Sequence, residues 1–573
     1  MTSQTLPTPN LVLNAGSTGT NFYIDNYVTG VNNTPKFNVA NNVVYFFPGN
    51  YYLKTNNIKI TTTGVQFYGV KYDTNQNIVP ADASLVHIFQ QSTLDLLILN
   101  ADNFTMSGIS LHMPQNNNQT GSALIVASAN NTNITNNYIY GGSTTNFTIY
   151  YAGPKFAIDG ITPLTPGQPS MDIYLNNVLD KNNTFSKNVV YTSSINDAIS
   201  FSLQSNFMCS NNIFRGARVA LYMCKWTKFI YNTIYNSVRQ GIFVSLPCQN
   251  ILIKGNNIHE CFNSSIQIAY QLEHLDEFGL PIYVNQPNYI NIIENELYDS
   301  QYFGIQMENA NNINIANNKI KINNDTLLQY INVPNANTTN PLVMINKGTS
   351  IFIQNSSYVE INKNMLINFY QAFTVYGSSN VLIQNNDIAV LYPNIFSSTN
   401  IIILSNVNGN TINRVINAVT KPGESTQGTT ISKKIILNCQ YAQTTIINPN
   451  NTINISEYPL PLQYNNNQLV NNMSMTNSIY TVTTNIVNNP DNTYTTTKSL
   501  SIIIPTIYAC NNTIQNNNIW GIANLLSTKS NFIIDNGFNN AYQTTDSSGN
   551  VKQLNNYYGY LTYDFEVKNG LIY

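Results

Sequence analysis

Val381-Leu-Ile-Gln-Asn-Asn386-Asp-Ile388 reads apolar-x-apolar-x-x-Asn-x-apolar, and this eight-residue phrase returns along the chain. It recurs as Ile251/Ile253/Asn256/Ile258, Ile290/Ile292/Asn295/Leu297, Ile313/Ile315/Asn318/Ile320 and Val359/Ile361/Asn364/Leu366, with weaker copies centred on Asn137, Asn188, Asn212, Asn232 and Asn410. Neighbouring copies lie about 20–24 residues apart, or that plus an insertion. A period in this range marks a solenoid, and the period-2 alternation inside each unit makes the units strands.

A second apolar-x-apolar pair keeps time eight residues before the phrase, at Ile199/Phe201, Leu221/Met223, Ile305/Met307, Ile351/Ile353 and Phe373/Val375, with Ile242/Val244 and Ile266/Ile268 on looser spacing. Two phase-locked strand signals per repeat predict an all-β chain, a right-handed parallel β-helix solenoid with a β-rich C-terminal region. Alternate side chains point to opposite faces of a strand, so the paired apolar residues face the bore, and stacked coils bury them in columns. Asn is expected at the turns, where it tolerates left-handed angles and bonds to the Asn of the next coil. Parallel crossovers are right-handed in nearly all proteins.

Charged residues make up only 9% of the 573, with Lys+Arg at 25 and Asp+Glu at 27. That balance offers no electrostatic basis for nucleic-acid binding. The chain is Asn-rich, but its 43% hydrophobic residues recur periodically, which argues against a disordered low-complexity segment. Cys209, Cys224, Cys248, Cys261, Cys439 and Cys510 show no CxxC pair and no His at metal spacing, so they read as unpaired structural residues, with no metal and no cofactor implied. The opening Met1-Thr-Ser-Gln-Thr-Leu-Pro7 lacks a secretory profile, and no apolar run reaches the ~18 residues of a membrane span, so neither a signal peptide nor membrane insertion is expected.

Val43-Val-Tyr-Phe-Phe-Pro48-Gly49-Asn-Tyr-Tyr-Leu53, followed by Ile58-Lys-Ile60 and Gly64-Val-Gln-Phe-Tyr-Gly69, resembles the opening of pectin-lyase-like right-handed β-helices. Phe104-Thr-Met106-Ser-Gly-Ile109-Ser-Leu111 resembles a coil of the same superfamily. The resemblance spans about residues 41–455 and implies fold rather than function, because one fold hosts many activities. The expected layout is an N-terminal extension or cap over 1–40, the β-helix over 41–455 with loop insertions near 140–183, 270–288 and 322–347, and a C-terminal cap and assembly region over 456–573.

Stacking the coils turns sequence register into a surface map. In the second-phrase strand the outward column is expected to run through Ser200, Tyr222, Phe243, Gln267, Gln306, Phe352 and Thr374, with Tyr376 two residues on and Arg218 and Arg239 sharing a slot just before it. Exposed aromatics among amides suit carbohydrate, so Arg218, Tyr222, Arg239, Phe243, Gln267, Gln306, Phe352 and Tyr376 are the candidate binding residues. Carboxylates cluster between 260 and 308. Glu260 and Asp299 each lie four residues after a phrase Asn and are expected to stack on neighbouring coils, with Glu308 nearby. Two carboxyls about 5–5.5 Å apart are the arrangement of retaining glycosidases, which makes these three the catalytic candidates. Ordinary turn and surface duty is the competing explanation. His87, His112 and His274 match no triad or metal spacing.

The superfamily's polygalacturonase and pectate-lyase patterns are not found. A rigid neutral rod without a recognised catalytic set is expected to be a structural, virion-type β-helix, capsid-associated or a surface spike, contacting host glycans. The alternative is a polysaccharide hydrolase or lyase of the tailspike kind. Other coat proteins and further copies of the chain, a trimer among the options, are the expected partners. Synthesis in the host cytoplasm and residence on a virion or particle surface follow from that reading.

Overall fold

The structure is a computed structural model of the chain. It describes residues 6–520 except 17–20, 30–35, 116–120, 142–146, 155–173, 175–176, 193–197, 246, 270–286, 301, 322–348, 368–370, 390–399, 406–409, 424–430, 438–440, 448–452, 460–478 and 505–511. Beyond 520 it describes 523–527, 532–534, 537–538, 542–545, 551–555, 567–568 and 571–572. The insertions expected near 270–288 and 322–347 and most of that near 140–183 therefore lie almost wholly outside the described residues, as does His274.

The chain divides into two compact units, one of residues 1–267, 289–305 and 317–348, the other of 268–288, 306–316 and 349–573. In the first unit three parallel sheets wind together. Sheet A runs through Leu11–Leu13, Val43–Phe46, Gln66–Tyr72, Thr105–Ser107, Asn133–Thr135, Thr184–Ser186, Met208–Ser210, Lys228–Ile230 and Gln249–Lys254. Sheet B runs through Phe22–Tyr23, Gly49–Leu53, Val86–Gln90, Ser110–His112, Tyr138–Tyr140, Val189–Tyr191, Ile213–Arg215, Thr233–Tyr235, Asn257–His259, Glu296–Tyr298 and Lys319–Lys321. Sheet C runs from Ile58–Ile60 through Leu97–Leu99, Leu124–Ala127, Ile149–Gly153, Ile199–Ser202 and Val219–Tyr222 to Ile242–Ser245. The first strands of sheets A and B thus fall within residues 1–40, and Ile149–Gly153 is a coil strand inside the span read as an insertion.

The apolar phrase positions fill the bore. Phe185, Cys209, Phe229 and Ile253 stack in sheet A, Val190, Phe214, Ile234 and Ile258 in sheet B, all buried. Cys209, Cys224, Cys248 and Cys261 are buried free thiols. At the start of the solenoid Gly49 adopts φ 147°, where a Cβ would sit 2.7 Å from the Ala15 Cβ, so only glycine lets the first turn close.

Between sheets A and B the phrase asparagines form a buried ladder. Asn137, Asn188, Asn212, Asn232, Asn256, Asn295 and Asn318 follow one another. Each donates its backbone N–H and its side-chain amide to the Oδ1 of the next, at 2.9–3.2 Å. The left-handed angle expected of these asparagines belongs to the residue before each. Asn136, Lys187, Asn211, Tyr231, Gly255, Glu294 and Asn317 have φ of 55–64°. The reason is a division of labour: the turn residue stays outside, which leaves the Asn buried to satisfy backbone groups that have no strand partner.

The second unit repeats the plan with Asn311–Ala316, Ser357–Asn362, Ser379–Gln384 and Thr513–Gln515 in one parallel sheet, and with Asn364, Asn386 and Asn517 in its own ladder. It also holds a six-stranded antiparallel sheet in the order Asn410–Pro422, Thr493–Ile504, Ile479–Asn489, Ile431–Leu437, Tyr441–Ile447 and Ile453–Pro459. That sheet occupies a span where the sequence reading ran coils to 455, and the parallel pairing resumes after it, at Thr513.

Candidate functional site

Four of the expected binding residues converge on sheet C of the first unit. The Arg218 guanidinium lies 4.2 Å from the Phe243 ring centroid, donates from Nη1 to Gln240 Oε1 at 3.0 Å, and from Nη2 to Tyr222 Oη at 3.4 Å. Gln240 donates in turn to Gln267 Oε1. The cluster is closed: Phe243 is 2% exposed and Arg218 8%. Arg239 is exposed and does not share the Arg218 slot, because Val219 pairs with Ile242 and so aligns Arg218 with Gly241.

The expected outward column is also out of register at one coil. Ser200 pairs with Ala220 and Ala220 with Phe243, while Tyr222 lies between Ser202 and Ser245. Val219, Leu221 and Met223 alternate, and the strand uses the first two, because Met223 turns with φ 51°. In the second unit Phe352 is 5% exposed and edges onto Tyr376 at 5.8 Å, and Gln306 donates to Glu308 Oε1 at 2.7 Å.

Glu260 and Asp299 do occupy one slot on adjacent coils of the first unit, since His259 pairs with Tyr298. Both have left-handed φ, 55° and 59°, in a turn slot that Gly216 and Asn236 fill on earlier coils. Glu260 is half exposed, and its Oε2 stands 3.7 Å from His259 Nδ1.

The most extended surface feature lies on sheet B, one residue past the last apolar position of each phrase. The register aligns Tyr23, Tyr52, Phe89, His112, Tyr140, Tyr191, Arg215, Tyr235, His259 and Tyr298 in a single outward column. Their rings stack. Centroids are 5.2 Å apart for Tyr52–Phe89, 4.4 Å for Phe89–His112, 4.6 Å for His112–Tyr140 and 5.2 Å for Tyr140–Tyr191, with interplanar angles of 8–20°. Beyond the break, Tyr235–His259 and His259–Tyr298 stack at 5.3 and 4.8 Å. Such pairs are worth about 0.5–1.5 kcal/mol each beyond area burial, so the column ties coil to coil. Burial among the rings, reinforced by neighbouring His87, lowers the His112 imidazole to about 4. His87 Nδ1 and His112 Nε2 share a hydrogen bond at 3.0 Å.

Stacked rings present edges, not faces. The exception is at Arg215, which fills the slot after Tyr191 and places its guanidinium 5.8 Å from the Tyr235 centroid. Among the described residues Tyr191 is therefore stacked on one ring, that of Tyr140. Here a groove of about 650 Å³ opens beside the column, bordered by Gln115, Thr192, Arg215 and Asn236 together with the ring edges. Its glycines are there for closeness: a Cβ on Gly216 would stand 2.1 Å from the Thr192 carbonyl oxygen, and one on Gly141 2.0 Å from Thr148 Oγ1. Among the described residues bordering it there is no carboxylate. The signal was available in the sequence, as the residue three past each ladder Asn is Tyr140, Tyr191, Arg215, Tyr235, His259, Tyr298 and Lys321.

The family described as right handed beta helix region matches residues 276–388. The solenoid is a right-handed parallel β-helix. Similar solved structures include the A-module of mannuronan C-5 epimerase AlgE6 from Azotobacter vinelandii, at 13% identity, TM-score 0.37, and coverage of 61% of this chain and 85% of that one. The Dettilon tailspike protein is 10% identical with TM-score 0.34, covering 81% of this chain and 88% of that one. DFA-IIIase from Arthrobacter chlorophenolicus A6 is 12% identical with TM-score 0.29, covering 63% and 76%. No curated protein matches the chain. Among the described residues, no three His, Cys, Asp or Glu side chains converge as for a metal ion, and no helix is long and apolar enough to cross a membrane.

Proposed function

We propose that this chain is a structural β-helix of the spike or capsid-associated type, and that its first unit holds a glycan along the sheet B groove without cutting it. The observation that carries the reading is the break in the ring column at Arg215. Among the described residues it leaves one side of Tyr191 without a ring neighbour, and it sets a guanidinium, the Asn236 amide, the Gln115 amide oxygen and the Thr192 hydroxyl around one groove. Ring surface for the apolar face of a sugar and convergent polar groups for its hydroxyls are what carbohydrate recognition requires. The described residues bordering the groove include no carboxylate, so they supply no acid–base pair for glycoside cleavage.

An oligosaccharide array tests this directly. The parent is expected to retain a defined subset of glycans, and Arg215→Ala to lose it; equal retention by both would remove the groove from the reading. Assembly with other coat proteins or with copies of the chain belongs to the same proposal.

The second reading, a polysaccharide hydrolase or lyase, is supported by one observation, the stacking of Glu260 on Asp299 beside His259. Glu260→Gln would then abolish release of new sugar ends from a polysaccharide the parent degrades.

A further inference from the structure

A second amide ladder runs outside the coil, at the corner where sheet C leads into sheet A. Asn206 donates to Asn182 Oδ1 at 2.7 Å, Asn182 to Asn131 at 3.1 Å, Asn131 to Asn103 at 3.2 Å, and Asn103 to Thr63 Oγ1. Each asparagine of this ladder has a left-handed φ of 52–59°, which Asn tolerates at little cost. On the next coil the slot is filled by Trp226, with φ 49° and 51% exposure, and the coil after that returns to Asn250 with φ 56°.

Tryptophan is the wrong residue there for the fold. Other large side chains of this fold, Tyr231 and Met223 among them, also take a left-handed φ, but Trp226 in addition ends an amide ladder that Asn would have extended, and half its surface stays in water. Among the described residues no ring stacks on the indole, no cation packs over it, and its N–H meets no acceptor. A large, half-exposed indole with no partner in the fold, standing where the ladder would take Asn, points to a role outside the fold.

The surroundings state what would bind. Trp226 borders a hollow of about 450 Å³ with Asn206, Thr227, Lys228, Asn250 and Leu252. Asn206 is the last donor of the ladder, so its Oδ1 is left as an acceptor on that side. Lys228 is exposed and forms no ion pair among the described residues. We infer that this hollow is a carbohydrate subsite separate from the sheet B groove, taking an acidic pyranose whose apolar face lies on Trp226, whose hydroxyls meet Asn206 and Asn250, and whose carboxylate meets Lys228. A ring face flanked by amides and one cation fits that chemistry. The inference does not depend on the groove reading.

The chain has two tryptophans, so Trp520→Phe leaves Trp226 as the sole indole reporter. Tetragalacturonate and 3′-sialyllactose are the acidic probes and cellotetraose the neutral one. At least one acidic probe is expected to shift the emission saturably, with affinity at least fivefold weaker in Lys228→Ala and unchanged in Arg215→Ala. Calorimetry on the otherwise unaltered chain gives the same comparison without the reporter variant. There Trp226→Asn, which restores the ladder residue and so keeps the fold, is expected to lose the heat. Silence toward both acidic probes, equal binding of cellotetraose, or binding that survives Trp226→Asn would overturn the assignment. Loss of the signal in Arg215→Ala would place the sugar in the groove instead.

Discussion

Asn256 Oδ1 accepts two hydrogen bonds from Asn232, one from its backbone N–H at 2.9 Å and one from its side-chain amide at 3.1 Å. Asn232 Oδ1 receives the same pair from Asn212, and Asn232 Nδ2 also donates back to the Cys209 carbonyl. One side chain thus satisfies groups on the coil before it and on the coil after it.

Asn232→Ala is therefore expected to leave the Asn212 backbone N–H and the Cys209 carbonyl without their side-chain partner in a buried site, while the Asn212 side-chain amide keeps its bond to the Phe185 carbonyl. At about 1–3 kcal/mol per orphaned group, partly relieved by relaxation, a loss of roughly 2–4 kcal/mol follows. Asn206→Gly, in the exposed ladder at a φ glycine accepts, should stay within about 1 kcal/mol of the parent. Denaturant unfolding of the two variants measures the contrast; equal losses would contradict the buried ladder's importance.

The ring column makes stability depend on acid. The neutral His112 imidazole is held to about 4 in the native state against an ordinary 6.5, with His87 also lowered by burial. Between pH 6.5 and 4 the unfolded chain binds protons that the native His112 refuses, so stability falls as pH falls. His112→Phe keeps a ring between Phe89 and Tyr140, and its unfolding midpoint should lose less than the parent's over that interval.

Asp180 has the opposite slope. Burial, the largest influence, pushes its carboxyl from 3.8 up to about 7, while the backbone amide of Ala129 pulls the other way. The native state then keeps a proton that the unfolded chain has released, so this group makes stability fall as pH rises from about 4 to 7. Asp180→Asn should be more stable than the parent at pH 8, by roughly 1–3 kcal/mol, with the gain shrinking toward pH 4. A variant no more stable at pH 8 would contradict it.

The antiparallel sheet interrupts the second unit's coils without replacing them. Leu382–Gln384 pairs with Thr513–Gln515, and Asn386 bonds to Asn517, across 131 residues of sequence. Replacing 410–504 with a short Gly-Ser linker is expected to preserve cooperative melting, whereas truncation after 405 should expose a sheet edge and promote association. Any loss of oligomer in the linker variant would assign assembly to the antiparallel sheet.

The eight-residue phrase made the coil, the bore and the position of the Asn ladder legible, because each repeats at every turn and burial enforces it. Which residue carries the left-handed angle was not, since Asn suits both the turn and the ladder. The sheet C register slipped at Tyr222 because Val219, Leu221 and Met223 offer two equivalent apolar pairs. The antiparallel sheet was invisible because period-2 alternation is the same in parallel and antiparallel strands. The ring column was present in the sequence three residues past each ladder Asn. It emerges only when coils are aligned, since Tyr191 and Arg215 are neighbours in space and 24 positions apart in sequence.

The claim that the groove holds a glycan without cutting it meets its most direct test in affinity electrophoresis through gels carrying candidate polysaccharides, with new reducing ends assayed in the same samples. The expected result is retardation of the parent by at least one polysaccharide, abolished by combining Tyr191→Ala with Arg215→Ala, with no reducing ends formed. Retardation that survives the double variant, or sugar ends that vanish with Glu260→Gln, would contradict it.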